Sequence, residues 1–391
     1  MIDRLHDCLK CGDRDLGLIK AVNSEYEVEQ TVGGTRGTSY IYVYDGNFFV
    51  NIRYLRSCRV VVREKMGRGR TYEVYRIPKE MLEGKPLLLA TFANSGFGIM
   101  YVCIAEKNVI KCCDCPLLKE NDELAMQVAS KFKSLQSEDV LTRLYLDVVP
   151  RLAKEILNIV RKSGAGSLLF AGRAERTLES IYKPGFSLLM SMILSTAQGR
   201  IQSLLVKISH VLELAVAAKI IDSLEGISAH EYWWVEFTWN RPLAIIKSRI
   251  TNKEYTLFYQ PSILPHILPG FEPSAPKHLV PDIVVFEGRL EEVGWGRLHK
   301  LIESGVKPVL AIEVKTGIQI IKWEQTNYII NQLKEYTKLL KPKSIALVSL
   351  RDIDPLLKSW LKSFGIKFFE NITSEDVQRE FKDYILKTLA I

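Results

Sequence analysis

Two runs, Leu279-Val-Pro-Asp-Ile-Val-Val-Phe-Glu-Gly288 and Pro308-Val-Leu-Ala-Ile-Glu-Val-Lys-Thr-Gly317, decide how this chain is read. Each has a short apolar segment bounded by turn formers, the pattern of a buried strand. Asp282 opens the first strand and Glu313 closes the second, where packing gives a carboxylate no reason to stand. Alternate side chains of a strand share a face, so Glu313 and Lys315 point one way and Val314 the other. If the two strands pair, Asp282 joins them. Two carboxylates converging on one point attract a hard divalent cation such as Mg²⁺ or Mn²⁺, and an ammonium beside them can orient or help deprotonate a water. Such a set suits hydrolysis of a phosphodiester.

Pro281-Asp282, followed after a loop by Glu313-Val314-Lys315, resembles the signature of the PD-(D/E)XK nuclease superfamily. Apolar periodicity predicts a helix over residues 320–340, and it carries Gln332 and Tyr336, four apart on one helical face. This Q-x-x-x-Y resembles the additional motif of the RecB-like branch of that superfamily. The resemblance covers the carboxy-terminal half only. It implies an α/β restriction-endonuclease-like core, a mixed sheet flanked by helices, with Asp282, Glu313, Lys315, Gln332 and Tyr336 as the catalytic set. Asp282 and Glu313 would hold Mg²⁺ or Mn²⁺, with the backbone carbonyl of Val314 as a further oxygen ligand. Lys315 would position the attacking water or offset charge developing at phosphorus. Gln332 and Tyr336 would sit behind, hydrogen bonded to Lys315 or to a substrate phosphate. Nucleases of this superfamily often carry one more acid on the helix before the first strand, as a metal ligand. Glu213 matches, a glutamate set among Val211, Leu212, Leu214, Ala215 and Val216, with His210 one turn away.

A chain of 391 residues has room for two or three domains. The composition shifts suggest a β-rich module over 1–118, a helical connector over 119–199 and the nuclease domain over 200–391. No apolar run reaches the roughly 20 residues that span a bilayer, and the polar opening MIDRLHDCLK argues against a secretory signal, so a cytoplasmic location and no membrane partner are expected. The net charge of +8 favours an anionic partner. Nucleic acid is that partner in this reading, DNA ahead of RNA because DNA is the superfamily's commonest substrate. A homodimer is compatible with it.

All seven cysteines precede residue 116. Cys8-x-x-Cys11-Gly12 and Cys112-x-x-Cys115 have the spacing that lets two thiolates face one tetrahedral metal, so the four together are a candidate structural zinc site clamping both ends of the first module. Disulfides, unpaired buried thiols and an iron–sulfur cluster are the alternatives. In the RecB-like nucleases that carry such a cluster, cysteines flank the core on both sides, and this chain departs from that pattern with none after Cys115. Between the pairs, alternation predicts strands at 40–44, 48–52, 59–63, 71–75 and 87–91. The hairpin tip at 65–70 carries Lys65, Arg68 and Arg70, cations suited to following a phosphate backbone.

From Asn121 to Leu224 the apolar spacing is helical, interrupted at Gly164–Gly166, Lys183–Gly185 and Gln198–Gly199. Beyond it, strands are expected at 232–239, 244–250, 255–259, 344–349 and 366–369, with helices over 320–340 and 355–363. The order helix, three strands, helix, strand is the one the resemblance implies. A nucleic-acid-binding or assembly protein on the same fold, without turnover, is the alternative function.

Overall fold

The computed structural model describes residues 5, 7, 18–32, 38–92, 98–106, 109–132, 136–198, 202–237, 241–263, 279–290, 297–317 and 323–389. They belong to two compact units, Met1–Asp147 with Lys183–Leu205, and Val148–Tyr182 with Val206–Ile391. The expected connector over 119–199 is not a separate body in this division: it is shared between the two.

The first unit is built on β1 (Ile19–Val22), β2 (Glu25–Val32), β3 (Thr38–Tyr44), β4 (Phe49–Asn51), β5 (Arg59–Met66), β6 (Arg70–Pro78), β7 (Pro86–Phe92), β8 (Gly98–Glu106) and β9 (Val109–Asp114). Four strands pair in the order β1-β2-β6-β5 and five in the order β4-β3-β7-β8-β9. Alternation does the sorting. In β2, Tyr26, Val28, Gln30 and Val32 are buried while the residues between them are half-exposed, the pattern of a sheet with one face on the core. Tyr26, Val28, Tyr75 and Ile77 from one sheet share that core with Ile41, Val43, Leu87 and Leu89 from the other. Of the elements that follow, helix α1 (Asp122–Ala129) lies in this unit, α2 (Gln136–Lys162) runs across the division, β10 (Ser167–Phe170) and α3 (Glu175–Tyr182) belong to the second unit, and α4 (Pro184–Gln198) returns to the first. The Gly185 N–H donates to Asp122 Oδ1 at 2.7 Å. A Cβ at Gly185 would lie 2.2 Å from the Asp122 carbonyl, so only glycine allows α4 to start there.

Of the four cysteines expected to hold zinc, Cys112 and Cys115 are in disulfides in this structure. The antiparallel β8–β9 register sets Cys103 opposite Cys112, their Cα atoms 4.1 Å apart, and the two are joined as a disulfide. Cys115 is also disulfide-bonded. A sulfur in a disulfide has no thiolate to offer a metal. Cys8 and Cys11 lie outside the described residues, and Cys58 keeps its thiol. At the β5–β6 tip Lys65 is exposed and Arg70 half-buried, while the side chain of Arg68 lies outside the described residues.

The second unit holds α5 (Gln202–Ser223), β11 (Gly226–Ser228), β12 (Tyr232–Val235), β13 (Pro242–Ser248), β14 (Glu254–Tyr259), β15 (Ile283–Glu287), α6 (Arg297–Glu303), β16 (Leu310–Lys315), α7 (Trp323–Glu335), β17 (Ser344–Ser349), α8 (Pro355–Ser363), β18 (Lys367–Phe369) and α9 (Glu375–Leu389). Seven strands make one mixed sheet in the order β11-β13-β14-β15-β16-β17-β18. The pairings from β11 through β16 are antiparallel, and β16–β17 and β17–β18 are parallel. The fold of this unit is therefore mixed α/β. Val284, Phe286, Leu347 and Phe258 pack on one face with Leu298 of α6, Ile329 and Leu333 of α7 and Leu357 and Leu361 of α8. From Val211 to Ile221 every residue of α5 is buried, as its apolar residues on all sides require of a helix. Its Lys219 accordingly pairs with Glu155. β10 and β12 form a separate two-stranded parallel ribbon. Among the described residues no helix is long and apolar enough to cross a membrane.

Candidate active site

Strands β15 and β16 pair with Ile283 opposite Ile312 and Val284 opposite Ala311. One step further along the same register, Asp282 faces Glu313. Like charges directly opposite on neighbouring strands destabilise a sheet, and here both are removed from water: Asp282 is 7% exposed and Glu313 0%. Nothing in the packing favours that arrangement, which is a mark of a functional site.

Each carboxylate is held by donors that the local fold supplies. The Val314 N–H donates to Asp282 Oδ2 at 2.7 Å. The Lys315 ammonium donates to Glu313 Oε1 and lies 3.8 Å from Asp282 Oδ2. Glu313 Oε2 accepts from the Tyr336 hydroxyl at 2.9 Å, and that hydroxyl accepts from Gln332 Nε2 at 2.6 Å. The four-residue spacing of Gln332 and Tyr336 is what lets one support the other. Tyr336 opens a π-helical turn, Tyr336–Leu340, at the end of α7, an irregularity frequent at functional sites.

Glu213, from α5, completes the acidic group. It is 4% exposed and its Oε2 accepts from the Tyr259 hydroxyl at 2.9 Å and from Gln260 Nε2 at 2.6 Å. His210 Nδ1 lies 3.0 Å from the Tyr259 hydroxyl and 3.4 Å from Glu213 Oε2. Thus the five residues of the catalytic expectation and Glu213 are brought to one end of the sheet.

Burial, reinforced by the charges of Glu313 and Glu213, pushes the Asp282 carboxyl well above the usual carboxylate range, against Lys315 and the Val314 N–H. For Lys315, burial works against the ammonium, but Glu313 and Asp282 outweigh it and it titrates above an ordinary lysine. Tyr336 and Tyr259 are raised by burial and then by Glu313 and Glu213 respectively, so both are hydroxyl donors at neutral pH. Three buried carboxyl groups beside one ammonium offer oxygen donors of the kind that Mg²⁺ or Mn²⁺ takes. Gln332 Oε1 and Thr316 Oγ1 are buried without a hydrogen-bond partner. The carboxylates are not drawn into one shell, however. Among the described residues no three His, Cys, Asp or Glu side chains gather as a metal site.

Tyr259 is a base-stacking candidate on its sequence alone; in the fold it is buried and holds Glu213. Gln260 escapes a sequence reading, and only its place directly after β14 hints at it. Of the other residues the sequence offers for substrate contact, Phe271 for stacking and Trp295 and Arg297 for approach to a phosphate, the first two and the side chain of the third lie outside the described residues.

No family model matches this chain, and no curated protein is similar to it. Among solved structures, protein VC1899 from Vibrio cholerae is similar at 11% identity over 74% of this chain and 67% of that one, with a TM-score of 0.28. A likeness at that level carries no argument about fold or function.

Proposed function

We propose that this protein is a metal-dependent nuclease that hydrolyses phosphodiester bonds, with DNA the favoured substrate, on a restriction-endonuclease-like core of the PD-(D/E)XK type. The observation that carries the reading is the meeting of Asp282, Glu313 and the Lys315 ammonium at the end of two paired strands. The topology agrees with it: helix α5, the antiparallel run β13 to β16, helix α7, then β17 parallel to β16.

Asp282 and Glu313 would hold Mg²⁺ or Mn²⁺, with Glu213 and the Val314 carbonyl as further oxygen donors; the ion would lower the pKa of a bound water and offset charge on the phosphoryl oxygens. The rest is done by the chain itself. Lys315, charged at neutral pH and seated between Glu313 and Asp282, would stabilise the negative charge that builds on the phosphate. Tyr336, held by Gln332, fixes the rotamer of Glu313. Tyr259 and Gln260 do the same for Glu213.

The contact between the Lys315 ammonium and Glu313 favours a second reading, a nucleic-acid-binding protein in which this ion pair replaces a metal. End-labelled single-stranded, duplex and branched DNA, and RNA, incubated with Mg²⁺, Mn²⁺ or chelator, separate the two. The nuclease reading expects cleavage with metal only, lost by about a thousandfold or more in Asp282→Asn and Lys315→Ala. Binding of every substrate without a cut would favour the second.

A further inference from the structure

The β10–β12 ribbon exposes large aromatic and aliphatic side chains that the core does not use. Along β12, Trp233 and Val235 are buried, while Tyr232 is 40% exposed and Trp234 half-buried on the opposite face. The parallel register sets Leu169, 37% exposed, beside Trp234 and Ser167 beside Tyr232. Tyr182, 41% exposed, accepts the Leu168 N–H at 3.3 Å and so borders the same ribbon. Grouped apolar exposure of this kind marks an interaction surface. Its chemistry is specific. The Arg241 guanidinium lies 4.2 Å from the centre of the Trp234 ring, and Trp234 Nε1 donates to Glu236 at 2.9 Å, which fixes the indole by its edge. Tyr232 and Trp234 have ring centres 6.2 Å apart. An indole held at its edge under a stacked guanidinium, with a second ring beside it, is a surface for flat bases joined by an anionic backbone.

The ribbon also leads into the acidic cluster. Phe237, two residues past the end of β12, packs against His210 at 4.6 Å and Tyr259 at 5.4 Å between ring centres, and the Tyr259 hydroxyl donates to Glu213. Three residues of chain reach at most about 10 Å, so Trp234 lies within a few nucleotides of the carboxylates.

We infer that the outer face of β12, with Tyr232, Trp234 and Arg241, is a stacking platform for an unpaired strand of nucleic acid, which makes single-stranded or frayed substrate the class this site takes. The inference rests on the nuclease reading above for the identity of the neighbouring site. A polypeptide partner is the competing occupant, but the guanidinium on the indole and the run of the ribbon towards Glu213 favour nucleic acid.

The test is fluorescence anisotropy in chelator with two labelled strands about 12 nucleotides long, oligothymidylate and an abasic strand of equal charge. The full-length wild type is expected to bind the base-bearing strand about tenfold tighter. Tyr232→Ala and Trp234→Ala should each erase most of that preference, and Trp234→Phe should keep it. Because Tyr232 is exposed, its variant keeps the test valid if Trp234→Ala does not fold. Equal affinity for the two strands, or a preference unchanged in both alanine variants, overturns the platform. Metal-dependent cleavage of single-stranded, frayed and duplex DNA by the same wild-type preparation separates the readings. Cleavage without base preference removes the platform alone; a variant-sensitive base preference without any cleavage keeps the platform and removes the nuclease.

Discussion

At the scale of single residues, the two carboxylates work against the fold they sit in. Asp282 has a carboxyl pKa raised in the folded chain by burial, Glu313 and Glu213, so the folded state binds its proton more tightly than the unfolded one. Stability is then full below the ordinary carboxylate value and falls as pH rises from there through the raised folded value. In metal-free buffer at neutral pH, Asp282→Asn should therefore gain stability while losing cleavage, because the amide oxygen can still accept from Val314 N–H. A rise of roughly 2–4 °C in Tm, about 1 kcal/mol, is expected by thermal melting, and the variant should show a flatter stability profile between pH 4 and 8. Tyr336→Phe removes the donor to Glu313 and the acceptor of Gln332; it should cost about 1–2 kcal/mol in chemical denaturation and lower kcat about tenfold while KM stays near the wild-type value. Asp282, Glu313 and Lys315 were legible because charges break an apolar strand pattern. Tyr259 and Gln260 were not, since their role depends on Glu213, 46 and 47 residues earlier, and no local pattern carries that pairing.

At the scale of elements, β16 is followed two residues on by a glycine that the geometry demands. Gly317 has φ +79°, and a Cβ there would lie 2.7 Å from Arg351 Cβ, so Gly317→Ala should destabilise by about 1–3 kcal/mol in denaturant titration and weaken cleavage by shifting Lys315. The β14, β15, β16 and β17 strands could be read from their apolar runs. The β10–β12 ribbon could not, because a parallel pairing between segments 65 residues apart leaves no local signature. C-x-x-C spacing brings sulfurs near each other for metal or disulfide alike, and for Cys112 the β8–β9 register supplies Cys103 as a disulfide partner. With Cys103 and Cys112 nine residues apart, Cys103→Ser should cost about 2–3 kcal/mol, read as a drop in Tm that reductant reproduces in the wild type. Elemental analysis of the oxidised protein should find no stoichiometric zinc; a full zinc equivalent that Cys112→Ser removes would reverse that assignment.

At the scale of the whole molecule, the chain crosses between its two units more than once, at 147–148, 182–183 and 205–206. Composition could place a β-rich beginning and an α/β end but not this exchange, because helices α1 to α4 look alike in apolar spacing whichever unit they join. A cation bound at Asp282 and Glu313 should stabilise the folded chain by mass action, about 2.7 kcal/mol at a hundred times its dissociation constant, and Glu313→Gln should abolish that gain in a melt with Mn²⁺. The most direct test is anomalous diffraction from crystals soaked in Mn²⁺. A single peak bridging the carboxylates of Asp282 and Glu313 at about 2.0–2.3 Å, absent from Glu313→Gln crystals, is the expected result. A fully soaked crystal with no peak there, and Lys315 still seated on Glu313, would contradict the metal-dependent nuclease.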